Sequence, residues 1–416
     1  MSTFTIRIEQ PVYGGLSMGR HEGKVVMIRG AVLPGETVEV TLDREKKDYL
    51  TASAIKVLEP SPLRIEPACG YFGSCGGCHL QHAPYDLQVQ MKEGLLTDCL
   101  KRMAKTDIAL SSPIINDSPW NYRSRGQFKV SGGETGFYRE NTRELVSIDE
   151  CRLMRPEINA YLQKAKPLLK QTGIRELHIT HGDRAAALIR TGARSNARAD
   201  LDRTAAMFLD AGFSGIFIET GNNKTLKYGS PYADLEFEGL RYTVSPASFF
   251  QSNWRLNLCV AKTIKEALGP LKDRRVLDLY AGAGNLSLLL AGEAEITAVE
   301  ENPDSISDGK RNIRTNDIRG FKFIRSSAED FRAAHHFDVL ILDPPRPGLT
   351  KKTMDKVLAM LPERIVYLSC NPSTFARDLK HLLPEYETKS VRMVDFFPQT
   401  FHIESLAFLQ LKQRKA

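Results

Sequence analysis

Residues 276–290 read VLDLYAGAGNLSLLL, and this stretch decides the fold of the C-terminal half of the chain. An apolar strand over 276–280 runs into a loop with Gly282 and Gly284, and the apolar run beyond it predicts a helix. A Gly-rich turn between strand and helix lets a ligand approach the backbone, and the helix N-terminus favours its negative groups. The third fingerprint position of dinucleotide sites, usually Gly or Ala, is Ser287, so no pyrophosphate signature is complete. An adenosyl ligand without phosphates suits the loop better. The next strand, EITAVE, ends in Glu300, whose carboxylate can accept both hydroxyls of a ribose. Outward from this unit, RVLDLY, EITAVE, KFIRS, FDVLILDPP and RIVYLSC alternate with helical patterns. That alternation predicts an open, mostly parallel, Rossmann-like α/β sheet over residues 241–416.

Two further motifs lie on this sheet. FDVLILDPPRPG ends an apolar strand at Asp343 and two prolines; the next residue is Arg346, not the aromatic usual in amino-methylating enzymes. RIVYLSCNPST places Cys370 at a strand end before a Pro turn, and PQTFHIE supplies Glu404, 34 positions later. A thiolate so placed can attack a carbon electrophile, and a carboxylate can remove a proton afterwards.

Upstream, residues 1–59 carry short alternating runs between Gly and Pro turns, the pattern of a small β-barrel. PSPLRIEP (60–67) reads as a linker. Residues 84–106 predict an amphipathic helix with Leu87, Met91, Leu95 and Leu96 on one face. Strand and helix patterns then mix to about 240, so residues 60–240 read as an α+β domain. CGYFGSCGGC spaces Cys69, Cys75 and Cys78 as C-x5-C-x2-C, and Cys151 is the natural fourth ligand. Four thiolates suit zinc or an iron–sulfur cluster; the amides of Gly73, Gly76 and Gly77 favour a cluster. His79 reads as a satisfied surface residue. PWNYRSRGQFKV interleaves Arg123, Arg125 and Lys129 with aromatics, which suits phosphate contact and base stacking, and Arg20, Lys24, Arg29, Arg44, Lys46 and Lys47 decorate the barrel.

Composition fits this reading. The 416 residues exceed one ordinary core, 42% are hydrophobic and 26% charged, and the net charge is +7. Seven cysteines, an odd number, without a signal peptide argue against a disulfide scaffold, and no apolar run spans a membrane. A cytoplasmic protein with no membrane association and no obligate protein partner is the expectation.

In order and over essentially the whole chain, these motifs resemble the S-adenosylmethionine-dependent RNA 5-methyluridine methyltransferases. The resemblance implies that residues 1–59 form an oligonucleotide-binding (OB)-like TRAM domain. It implies that Cys69, Cys75, Cys78 and Cys151 hold a [4Fe–4S] cluster, although Arg152 stands where the family has Pro. FFQSN places Gln251 on S-adenosylmethionine, with Tyr280, Asn285, Glu300, Ser327 and Asp343 as further contacts beside Gly282. SCNPST implies Cys370 as nucleophile toward uracil, and HIE implies Glu404 as general base. The expected partner is RNA: 23S ribosomal RNA first, the tRNA T-loop as the alternative. An electron-transfer or radical enzyme using the cluster with S-adenosylmethionine is the reading of a different class. Its usual C-x3-C-x2-C spacing, with one iron left open, differs from the spacing here.

Overall fold

The computed structural model describes residues 2–170, 173–192, 197–221 and 224–413. The N-terminal runs form six strands, Thr3–Arg7, Gln10–Val12, Leu16–His21, Lys24–Arg29, Thr37–Glu45 and Tyr49–Glu59. They curl around Ile6, Ile8, Val26, Ile28, Val38, Val40 and Leu50. Backbone bonds from Glu9 to Met18 and from Ile8 to Glu36 close the curl. Glu36 is buried, and its carboxylate accepts from the Leu33 and Ser61 amides and from Arg64 Nε at 2.7 Å. Arg64 thereby pins the 60–67 linker to the barrel.

The central body is a seven-stranded sheet in the order Leu145–Ser147, Glu134–Tyr138, Arg125–Ser131, Ile174–His181, Ala185–Thr191, Gly215–Glu219, Thr225–Gly229. Helices Pro156–Leu169 and Arg198–Asp210 cover it, burying Ile158, Leu162, Leu201 and Phe208. Each such side chain contributes about 2 kcal/mol by leaving water.

The third body carries an eight-stranded sheet. Its order is Phe321–Arg325, Glu295–Glu300, Arg275–Leu279, Val339–Leu342, Arg364–Ser369, Glu404–Leu411, Tyr386–Val394, Ser111–Ile114. The first five strands run parallel, and Glu404–Leu411 is antiparallel to both neighbours. The strand order reverses at Arg275–Leu279, so a crevice opens at its carboxyl end beside Val339–Leu342, where open α/β sheets bind ligands.

Several expectations need correction. The helix after the glycine loop shrinks to a single 3-10 turn, Leu288–Leu290. Two glycines lower helix propensity there, and Ser287 spends its hydroxyl on Asp278 rather than capping. The first helix forms at Tyr85–Cys99 and continues as one π-turn, Leu100–Ala104, but it buries Gln88, Val89, Lys92 and Leu96. Its polar side chains go inside because partners meet them there: Lys92 Nζ lies 2.7 Å from Asp395, and Gln88 bonds Gln399 in both directions. The barrel ends at Glu59, but residues 60–240 do not pack as one body. This helix packs into the core of the third body, strand Ser111–Ile114 joins its sheet, and hairpin Ala233–Phe237/Leu240–Val244 lies on its opposite face. No helix among the described residues is long and apolar enough to cross a membrane.

Candidate active site and cysteine pocket

Strands Arg364–Ser369 and Glu404–Leu411 pair antiparallel with Ser369 opposite Ser405. The next step outward sets Cys370 opposite Glu404, and opposed residues of an antiparallel pair share a face. Sequence distance thus vanishes through register. Beyond Cys370, Asn371 caps helix Pro372–Leu382 by accepting from the Ser373 amide. Buried Asp378 of that helix accepts from the Leu349 amide and from Tyr367, and Arg346 O accepts from Thr374. The DPPRPG loop is therefore fastened to the helix that follows Cys370. Burial pushes the Cys370 thiol up to about 12; Glu404 and Asp343 add to the rise and Arg346 opposes it. Burial also raises the Glu404 carboxyl well above the usual range, with Asp343 adding and Arg346 opposing. Asp343 rises to about 7 through burial. Arg346 is thus the cation that pulls both candidate reacting groups toward their ionised forms.

Of the expected cofactor residues, Gly282 and Glu300 meet directly, and Glu300 and Asp343 both lie near Asp278. Tyr280, Gly282 and Gly284 all take left-handed backbone, with φ of 63°, 56° and 85°. A side-chain carbon added at Gly282 would meet nothing within 4 Å, so a ligand can reach this backbone. Glu300 accepts from the amides of Gly282, Glu301 and Asn302, which fixes its carboxylate at the loop. Asn285 is locked to Asn257 by two reciprocal amide bonds of 2.8 and 2.6 Å. Gln251 is buried, just ahead of helix Trp254–Leu268. Ser327 closes a local turn with Asp330, and the Tyr280 hydroxyl lies 3.5 Å from Thr353. Asp278, unforeseen from sequence, is buried with one oxygen unpartnered among the described residues, and burial, Asp343 and Glu300 lift it to about 7. Three carboxyls around one crevice suit a cationic ligand, as a sulfonium with an ammonium is.

All four expected cysteines, Cys69, Cys75, Cys78 and Cys151, line one cavity of about 80 Å³ with Arg123, Gln81 and Phe137. That is several times the room a single water needs. Among the described residues no three His, Cys, Asp or Glu side chains close on a single metal ion. The cavity nonetheless provides for thiolates. Burial raises Cys75, Cys78 and Cys151, and bonds from Gly77 to Cys75, from Gln81 to Cys78, and from Leu153 and Met154 to Cys151 counter it. Asn159 clamps Cys151 through its amide and its carbonyl. Arg152 donates to Ala68 O, tying the two cysteine segments together, which is a use for the residue found in place of Pro.

The basic strand is not an open phosphate-binding face. Arg125 donates to Ser248 O and Pro246 O at 2.5 and 2.6 Å, and Lys129 pairs with Glu176. Arg123 lines the cysteine cavity and lies 5.7 Å from the Phe397 ring. These cations turn inward because carbonyls, a carboxylate and the thiols meet them there. His79 is not a plain surface residue: it packs on Phe401 at 4.6 Å, and burial lowers its pKa.

Fold and site together define a Rossmann-like enzyme with a thiol and a carboxyl beside a cofactor crevice. A family model described as tRNA (Uracil-5-)-methyltransferase matches residues 232–412, and a TRAM domain model matches residues 1–55. An RNA methyltransferase of Aquifex aeolicus, itself uncharacterized, is 34% identical over 421 residues, covering 98% of both chains. The 23S rRNA (uracil(1939)-C(5))-methyltransferase RlmD of Shewanella amazonensis is 31% identical over 425 residues, covering 98% of this chain and 95% of that one. The structure of the Pyrococcus abyssi tRNA (uracil-54, C5)-methyltransferase, in complex with S-adenosyl-L-homocysteine, shares the fold. Its TM-score is 0.76 at 24% identity, over 97% of this chain and 99% of that one. The chain belongs to the RNA uracil-C5 methyltransferase family and is an S-adenosylmethionine-dependent enzyme with an N-terminal TRAM domain.

Proposed function

We propose that the enzyme methylates C5 of a uridine in 23S ribosomal RNA, with Cys370 as nucleophile and Glu404 as general base. The register ending at Ser369 opposite Ser405, one residue short of Cys370 and Glu404, and the electrostatic coupling of those two groups support the pairing. Near-full-length likeness to RlmD supports the ribosomal substrate over the tRNA T-loop. Uracil C5 is a poor nucleophile by itself. Addition of the Cys370 thiolate to C6 makes an enolate, with charge on C5 and O4. S-adenosylmethionine, when bound, would supply an electrophilic methyl to C5 and leave as the thioether S-adenosylhomocysteine. Glu404 then takes the C5 proton, and the C6–S bond breaks to restore the ring and free the thiolate. A carboxylate in an apolar setting is a stronger base than one in water, which suits this task. Arg346 offsets negative charge on Cys370 and Glu404. Gln251, Gly282, Asn285, Glu300 and Asp343 would hold the cofactor, with Tyr280 and Ser327 shaping the loops around it. Phe249, 66% exposed two residues before Gln251, suits stacking on an unpaired base. RNA phosphates would meet exposed Arg29, Arg44, Lys46 and Lys47 on the barrel.

Glu404→Gln should trap a denaturation-resistant protein–RNA band, because the adduct forms and the C5 proton cannot leave. Cys370→Ala should form no band and no product while still binding the cofactor. Wild-type turnover by either variant would overturn the assignment, and methylation mapping of ribosomal and transfer RNA would separate the two substrates.

Cys69, Cys75, Cys78 and Cys151 would hold a [4Fe–4S] cluster. The size of the cavity, the N–H bonds to sulfur and the nearby Arg123 all suit one. Such a cluster would cross-link residues 69–78 to residue 151 and carry no step of methyl transfer. Purified protein should be brown and contain about four irons per chain; stoichiometric zinc without iron would overturn this.

A further inference from the structure

The turn between barrel strands Gln10–Val12 and Leu16–His21 reaches the catalytic strand ends. Tyr13 Oη donates to the carbonyl of Cys370 at 3.2 Å, across 357 residues of sequence. Its ring meets Phe401 edge-on at 6.1 Å, three residues before Glu404. Gly15 presses on the same ring: a side-chain carbon there would lie 2.9 Å from Phe401, and its φ is +80°. Val12, Gly15, Leu16, His79, Leu95 and Phe401 line the seam beside this contact. The turn thus grips both sides of the thiol–carboxyl pair, the nucleophile by its carbonyl and the base by its loop.

We propose that Tyr13 is a positioning residue for Cys370, so that the barrel completes the active site as well as binding RNA. This rests on Cys370 being the nucleophile. The hydroxyl holds the peptide of Cys370 and so limits where its sulfur can point. A slack nucleophile reaches C6 in fewer encounters, which lowers kcat and leaves RNA affinity alone. Tyr13→Phe keeps the ring and removes only the hydrogen bond. Its kcat should fall roughly tenfold, with the KM for RNA within about twofold of wild type. In a Glu404→Gln background, Tyr13→Phe should slow formation of the covalent RNA band by a similar factor. Unchanged melting temperature would confirm an intact fold. Gly15→Ala, which crowds Phe401, should also lower kcat.

Wild-type kcat in Tyr13→Phe would overturn the proposal. So would a raised KM at constant kcat, which would make Tyr13 an RNA contact. Cys370→Ala is the control: if it still methylates, the nucleophile reading fails, whereas inactive Cys370→Ala beside wild-type Tyr13→Phe refutes the positioning role alone.

Discussion

Glu404 is almost wholly buried, and its neighbours Asp343 and Cys370 bear groups of the same charge sign when ionised. Three such groups cannot all ionise in one apolar pocket. The three are therefore not ionised together, and thiolate forms at Cys370 only when something compensates it. Arg346 is the compensating group, although the sequence shows it only as a departure from an amino-methylation motif. The raised thiol pKa means less thiolate at neutral pH, not more. Iodoacetamide should therefore label exposed Cys259 well before Cys370 at pH 7 to 8. Labelling of Cys370 should climb steadily with pH, and Arg346→Ala should slow it further. Peptide mass spectrometry over time reads both rates; Cys370 reacting first would contradict the burial argument.

Among elements, the segment from Asp395 to His402 does the most joining. Asn253 donates to Phe396 O, Lys92 to Asp395 and Phe397 O, and Tyr122 to Pro398 O. Gln399, at φ 68°, accepts from the amides of His79 and Leu80, next to Cys78. The cysteine loop and the first helix thus support the strand that begins at Glu404. At the barrel, Glu36 shows the same economy of buried charge. Burial raises its pKa, but Arg64 and the Leu33 and Ser61 amides outweigh it, so the carboxyl lies below its ordinary value. A lowered folded pKa stabilises above the unfolded value, about 4.3, and is lost as pH falls through the folded one. Glu36→Gln should cost about 3 kcal/mol at pH 7. The deficit relative to wild type should shrink toward pH 3. Thermal melts followed by circular dichroism at both pH values check the sign; a constant deficit would show that Glu36 acts by packing alone.

At the scale of the molecule, three bodies share one site. The barrel docks on the loops of Cys370 and Phe401 through Tyr13 and Gly15, and the central sheet holds the third body through Arg125. The carbonyls Arg125 grips, at Pro246 and Ser248, lie just before Gln251. Arg125→Ala should therefore weaken S-adenosylmethionine binding severalfold by calorimetry, with the salt dependence of RNA binding unchanged. Arg44, Lys46 and Lys47 should behave in the opposite way. Their triple replacement with Ala should leave cofactor affinity intact and flatten the log–log salt slope of RNA binding by about 2, as fewer counterions are released. A flattened slope in Arg125→Ala would return that residue to the RNA surface.

Local pattern was enough to show the parallel sheet and the barrel, and to single out the thiol and the carboxyl that the sheet brings together. Apolar runs of strand length, glycine turns and the NPST and HIE motifs are written into consecutive residues. Pattern was not enough wherever a polar side chain is buried by a distant partner. Lys92 and Gln88 sit inside a helix face that hydrophobicity alone turns outward, because Asp395 and Gln399 arrive some three hundred residues later. Arg123 and Arg125 look like RNA ligands in a strand of alternating charge, yet thiols and carbonyls from other segments take them inward. Tyr13 carries no local signal, since a tyrosine in a glycine turn is ordinary until the third body supplies Cys370 and Phe401. Amino-acid order determined which groups are present and which elements form; only the tertiary structure decided which charges are hidden, because the cost of burying a charge depends on the partner that meets it.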